Sequence, residues 1–218
     1  MPRRPALSPE RIIEAAVRVA DEGGLSQVSM RNVGRELGVE AMSLYHHLAG
    51  KEALLDGLAT WVFTQIQLPD ASEPWRDAMA SRAGSARRVL ALHPWGLGLI
   101  QSRRAPGPAL LRHHDAVLGC LRGSGFSVAD AAHAFSVLDA YVYGFVLTEV
   151  SLPFEPDEGA EGFVDDIQDL LDPTAYPHLV ELIAEQVTGQ HYDYAHEFEL
   201  GLDLILDGIG RRLATSSP

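Results

Sequence analysis

The chain has 218 residues, 46% of them hydrophobic and 22% charged, with a net charge of −13 and one cysteine, Cys120. That length holds one large domain or a small domain plus a larger one, and the balance of residues excludes wholesale disorder. The lone cysteine excludes an internal disulfide framework and fits a reducing compartment.

Nearly every periodic segment reads as helix, and no strand pair or hairpin signal emerges, so the expected class is all-α. The start, Met1-Pro-Arg-Arg-Pro, is basic, but Glu10, Arg11, Glu14 and Arg18 follow it and leave no apolar signal-peptide core. No apolar run approaches the roughly 18 residues that span a bilayer. A cytoplasmic protein with no membrane partner is the expectation.

The first helix opens at Ser8-Pro9-Glu10, with Ser as N-cap and Pro in the first turn, and Gly23-Gly24 stops it. Its apolar face is Ile12, Ala15, Ala16 and Val19. Ser29 caps a second helix to about Leu37, Gly38 makes a turn, and a third helix covers about Ala41 to Leu48. Lys51 opens a longer helix, 51–68, through Leu54, Leu55, Leu58, Trp61 and Val62. Leu68-Pro69-Asp70-Ala71-Ser72 is a natural seam. It divides residues 1–50 and their connecting helix from a larger helical domain over 69–218. In that domain helices are expected at about 72–92, 95–103, 108–123, 127–151 and 192–214. Residues 164–188 read as helix broken by Pro173 and Pro177, and 154–166 as an acidic, Gly-rich loop.

The stretch from Val28 to Leu48 has the spacing of a helix-turn-helix. Two short helices that cross closely need a small residue at the crossing, Gly34, and a residue tolerant of positive φ between them, Gly38. Val33, Leu37, Val39 and Leu44 supply the apolar wedge. The second helix can then enter a major groove with its N-terminal residues at the base edges.

The charge distribution agrees with such a head. Residues 1–51 hold seven Lys/Arg against six acids, whereas 123–210 hold eighteen acids and no Lys or Arg. A near-neutral head can approach phosphates while an acidic body stays away from them. Acidic excess kept for solubility is the other reading of the body.

Arg11-Ile-Ile-Glu-Ala-Ala, Gly24-Leu, Ser29-Met-Arg, Leu37-Gly-Val, Leu44-Tyr-His-His-Leu and Gly50-Lys-Glu-Ala-Leu-Leu together resemble the TetR family of regulators. Gly125-Phe-Ser, Asp139-Ala-Tyr-Val-Tyr-Gly-Phe-Val-Leu-Thr-Glu and Phe198-Glu-Leu-Gly-Leu-Asp-Leu-Ile-Leu-Asp-Gly extend the likeness to the tetracycline-repressor branch. The resemblance implies a ligand-responsive repressor of a palindromic double-stranded operator. The same fold acting as an activator, or without a ligand, stays open.

It also implies roles that side-chain chemistry can fill. Ser29, Tyr45 and Lys51 suit phosphate oxygens, and Arg31 suits a guanine O6/N7 pair. Ala41, Met42, Ser43 and His46 would face the groove, and His47 the backbone; a solvated helix face is the alternative for either histidine. Homodimerisation would use helices near 127–151 and 192–214, two from each subunit. Leu200, Leu202, Leu204, Ile205, Ile209 and Leu213, with Gly201 and Gly208, form one apolar surface. Ala131, Ala134, Phe135, Leu138, Val142, Phe145 and Val146 form the other. Packing within one subunit would look similar.

The ligand pocket of an unknown small-molecule effector has as candidates Trp95, Leu99, Gln101, His114, Leu118, Tyr141, Tyr143, Leu147 and Glu149. Tetracycline repressors hold magnesium through a histidine and an acid. Here the matching positions carry Leu99 or Ile100 and Thr148, with Glu149 one residue along. No metal and no cofactor is therefore expected. Enzymatic chemistry is not expected either: His191 and His196 are five apart, off one helix face, and no phosphate loop or nucleophile elbow occurs.

Overall fold

We describe a computed structural model, in which residues 6–102, 107–154, 160–188 and 192–216 are described. Among them there are helices and turns and no strand. His191 and residues 155–159 of the acidic loop lie outside the described residues, as does the side chain of Gln101.

Helix α1, Pro9–Gly23, begins as its sequence dictates, with Ser8 Oγ accepting the Arg11 N–H at 3.4 Å. It ends where Gly24 takes a φ of 69° and returns its N–H to Ala20 O at 2.8 Å. After a 3-10 turn at Leu25–Gln27 come α2, Met30–Leu37, and α3, Ala41–Leu44. Helix α4, Lys51–Gln65, is the spine of this half of the chain: it packs on α1 and also on α6, Trp95–Ser102, and α7, Pro108–Gly123. Its Leu54, Leu58 and Val62 are fully buried, and burial of each Leu stabilises by about 1.5–3 kcal/mol. Helix α5, Trp75–Leu92, packs on α4, α6 and α7.

Helix α8, Val128–Glu149, runs across the point, between Ser136 and Val137, where the chain's contacts divide into two compact units. The division falls well beyond the 68–72 seam because α4 ties α1 to α6 and α7. The second unit holds α9, Glu161–Ile167, α10, Pro177–Leu182 with a π turn to Val187, and α11, Tyr194–Ser216. There the aromatic rings interlock: Phe145 lies 4.9 Å from Tyr194 and 5.1 Å from Phe198, and Tyr141 Oη donates to Phe198 O at 3.0 Å. Gly201 admits this contact, since a Cβ there would overlap the Tyr141 hydroxyl.

Three expectations change. Residues 161–166, expected in the acidic loop, are helical in α9; beyond them the helix breaks as its prolines dictate, with a 3-10 turn at Gln168–Leu170 before Pro173 and α10 opening on Pro177. Ala131, Ala134, Leu138, Val142, Phe145 and Val146 are buried within the chain, as are Leu202 and Ile209. They therefore cannot be the exposed dimerisation surface. The large apolar residues that α8 and α11 leave exposed in the second unit are Val137 and Leu147 on α8 and Leu200 and Leu204 on α11, of which the two leucines of α11 belong to the expected surface. Finally, α8 is long and apolar enough to cross a membrane by length and composition, with only a third of its apolar window buried in the chain. Its run is broken only by isolated polar residues such as His133, Ser136 and Asp139, so it carries apolar residues on both faces.

Candidate nucleic-acid interface

The reading head is built on two glycines. A Cβ on Gly34 would stand 3.0 Å from Val39 O and 3.2 Å from Ala41 N, so α2 and the start of α3 approach through it. Gly38, at φ 66° and ψ 38°, turns the chain between them, and the Val39 N–H closes onto Gly34 O at 2.9 Å. Val33 and Leu44, both fully buried, lock the angle.

The second helix of the pair is shorter than expected. It is α-helical over Ala41–Leu44 and continues to Leu48 as tight turns, with His47 N–H donating to Leu44 O at 2.9 Å. Three-residue bonds wind the chain more tightly than an α-helix does.

The predicted residues lie at the start of α2, on α3 and the turns after it, and at the start of α4. Ser29 caps α2, its Oγ accepting the Asn32 N–H at 3.2 Å. Arg31, Met42, Tyr45, His46, His47 and Lys51 are exposed, whereas Ala41 and Ser43 are half-buried. Met42 is 71% exposed, an unusual position for a large apolar side chain that no protein surface covers. Tyr45 lies beside Gly50, the residue before α4, which places its ring next to the Lys51 end of that helix. Other cations of the head are engaged: Arg18 Nε pairs with Glu36 at 2.6 Å, and Arg35 Nη2 donates to Asn32 Oδ1 at 2.9 Å. Arg31 and Lys51 have no ion-pair partner among the described residues.

Sequence reasoning missed the link between head and body. Asp21 on α1 accepts two hydrogen bonds at Oδ1, from His93 Nδ1 and from Trp95 Nε1, both at 2.7 Å. His93 ends α5 and Trp95 opens α6, and both rings contact Trp61 of α4, at 4.9 and 6.4 Å. Trp95, expected in the pocket lining, is also one of the residues that fasten the head to the body. The signal available was an acid at the end of α1 and a His-Pro-Trp break, which no spacing rule connects.

The pocket candidates scatter. Leu99 is buried and lines a cleft of about 620 Å³ formed by α1, α4, α6 and the start of α7. His114 is half-buried with its ring 4.7 Å from Phe135, and Leu118 is half-buried. In the second unit Tyr141 and Tyr143 are engaged with Phe198 O and Asp139, Glu149 is half-buried, and Leu147 is 57% exposed. The neighbour of His114, His113, is the fully buried one, and Arg82 Nε donates to its Nε2 at 3.0 Å. Sequence reasoning passed over it, although it sits on the stripe Ala109, His113, Val117, Cys120, Leu121 that α7 buries.

Comparison with known proteins agrees with this geometry. Residues 12–58 match the family described as bacterial regulatory proteins, tetR family, and 68–213 match the tetracyclin repressor-like C-terminal domain. The HTH-type transcriptional repressor DrrR1 of Streptomyces coeruleorubidus is 31% identical over 99% of this chain and 83% of its own length. The class A tetracycline repressor of transposon 1721 from Escherichia coli is 31% identical over 94% and 92%. A regulator from Saccharopolyspora erythraea is 37% identical over 67% of this chain, but that match spans only 62% of its length. Among solved structures, apo ActR from Streptomyces coelicolor superposes with a TM-score of 0.78 at 26% identity, covering 99% of this chain and 100% of that one. ActR in complex with actinorhodin gives 0.75 at 27%, covering 96% and 99%.

Proposed function

This chain belongs to the TetR family of transcriptional regulators, and we propose that it is a homodimeric, cytoplasmic repressor which leaves its operator when a small molecule binds the helical body. The observation that carries the reading is the tie between Asp21 of the head and His93 and Trp95 of the body. Neither the end of α5 nor the start of α6 can shift without pulling on α1 through these bonds or breaking them.

On DNA, Ser29, Tyr45 and Lys51 hold phosphates while Arg31 donates to a guanine and Met42 meets a thymine methyl. Ala41, Ser43, His46 and His47 complete the contact surface. With so few cations in each head, a lone head binds weakly and salt-sensitively. Two heads must act together, on half-sites about 34 Å apart or a multiple of that.

The partner subunit covers the large apolar residues that α8 and α11 leave exposed in the second unit, Val137 and Leu147 on α8 and Leu200 and Leu204 on α11. This gives a four-helix interface, and it gives α8 a reason for two apolar faces. ActR carries actinorhodin; here too an aromatic, oxygen-bearing compound is the effector class favoured. An effector bound in the body displaces α6 and α4, the tie moves α1, and the separation of the heads no longer fits the operator. Deleting the gene tests the sign: transcription from promoters the protein binds rises if it represses, and a fall would make it an activator.

A further inference from the structure

Three polar side chains are buried among the described residues, Arg82, Ser85 and His113, and all lie on α5 and α7. Arg82 Nε–H donates to His113 Nε2 at 3.0 Å. A guanidinium has only donors, so Nε2 of the imidazole keeps its lone pair and the ring proton sits on Nδ1. Burial first, and then the Arg82 charge, push the His113 pKa down to about 3, so the ring is neutral near pH 7. Its Nδ1–H is therefore a fixed donor. It is buried and has no hydrogen-bond partner. A donor left so costs about 1–3 kcal/mol.

Phe63 contacts both this histidine and open space. Its ring lies 5.6 Å from that of His113, and it also lines the 620 Å³ cleft together with Ala59, Leu99, Ile100 and Leu110. The volume suits a small molecule of several rings, and the walls are largely apolar.

We propose that His113 is the polar anchor of the effector site, its Nδ1–H donating to a carbonyl or phenol oxygen on an apolar, ring-bearing effector received beside Phe63. Arg82 is the positioning residue that fixes the tautomer. The assignment rests on the body being a small-molecule receptor. A hydrocarbon of the same shape leaves the donor unmet, so the site selects oxygenated rings over bare ones.

The test uses the full-length protein and two probes, 1,8-dihydroxyanthraquinone and anthracene, which share a ring frame and differ in oxygen. Binding is followed by tryptophan fluorescence. Wild type should bind the quinone at least about tenfold more tightly than anthracene. His113→Gln, whose Oε1 still accepts from Arg82, should lose that preference, with anthracene affinity and operator affinity unchanged. Equal quinone affinity in both proteins would mean a buried water satisfies Nδ1–H, and would overturn the assignment. So would a wild type without preference. If His113→Gln does not fold, the Nδ1–H signal of 15N-histidine-labelled wild type decides. It should shift with the quinone and not with anthracene; an unmoved signal overturns the proposal. Quinone that releases operator DNA from wild type and variant alike leaves the receptor reading standing and removes only His113.

Discussion

In the proposed DNA contact, Arg31 and Lys51 carry the most weight, because Arg18 and Arg35 are already engaged. Arg31→Ala should weaken specific operator binding by about 1–3 kcal/mol and relax preference at one base pair. Anisotropy titration on operator and scrambled DNA measures both; unchanged operator affinity would refute base reading by Arg31. His113 predicts a pH effect. Its folded pKa, about 3, lies below the ordinary 6.5, so between those values the unfolded chain binds a proton that the folded chain refuses. Its contribution is full above pH 6.5 and is lost as pH falls toward 3, at up to about 1.4 kcal/mol per pH unit. Denaturant unfolding should therefore show a fall in stability between pH 6.5 and 5 that is shallower in His113→Gln. Parallel slopes would contradict a suppressed His113.

Among elements, the turn between α2 and α3 has the least tolerance. Gly34→Ala places a methyl against the backbone of Val39 and Ala41, atoms that cannot swing aside as a side-chain tip can. It should cost about 1–3 kcal/mol of stability and weaken operator binding more than thermal melting alone explains. A variant with wild-type affinity would show that the crossing is looser than the geometry states. The glycines, the Ser8 and Ser29 caps and the Pro-marked breaks were all legible in the sequence, because each acts through its own backbone. The length of α3 was not: apolar spacing continues to Leu48, and only the bonding pattern separates helix from tight turns. The face of α8, and Leu202 and Ile209 of α11, were misread for a related reason. Both helices are apolar on two sides, and periodicity cannot say which side the chain covers itself. The polar ties, Asp21 to His93 and Trp95 and Arg82 to His113, join residues 31 to 74 positions apart, beyond the reach of any local pattern.

For the whole molecule, the proposed reading makes dimerisation part of DNA recognition, because the body is acidic and the head sparsely charged. Leu200→Glu with Leu204→Glu places like charges on residues that are exposed in the single chain, so each subunit should fold as before. Light scattering at micromolar concentration should then give a monomer, and operator affinity should fall at least a hundredfold as one head is lost. A persistent dimer would move the interface elsewhere. The central claim, that residues 28–48 of two subunits read one symmetric operator, is tested most directly by sequencing genomic fragments retained by the purified protein, followed by footprinting of the enriched site. The predicted result is an inverted repeat with two protected half-sites on one face of the duplex, their centres one helical turn or a multiple apart. Retained fragments without such a repeat, or protection of a single half-site at saturation, would contradict it.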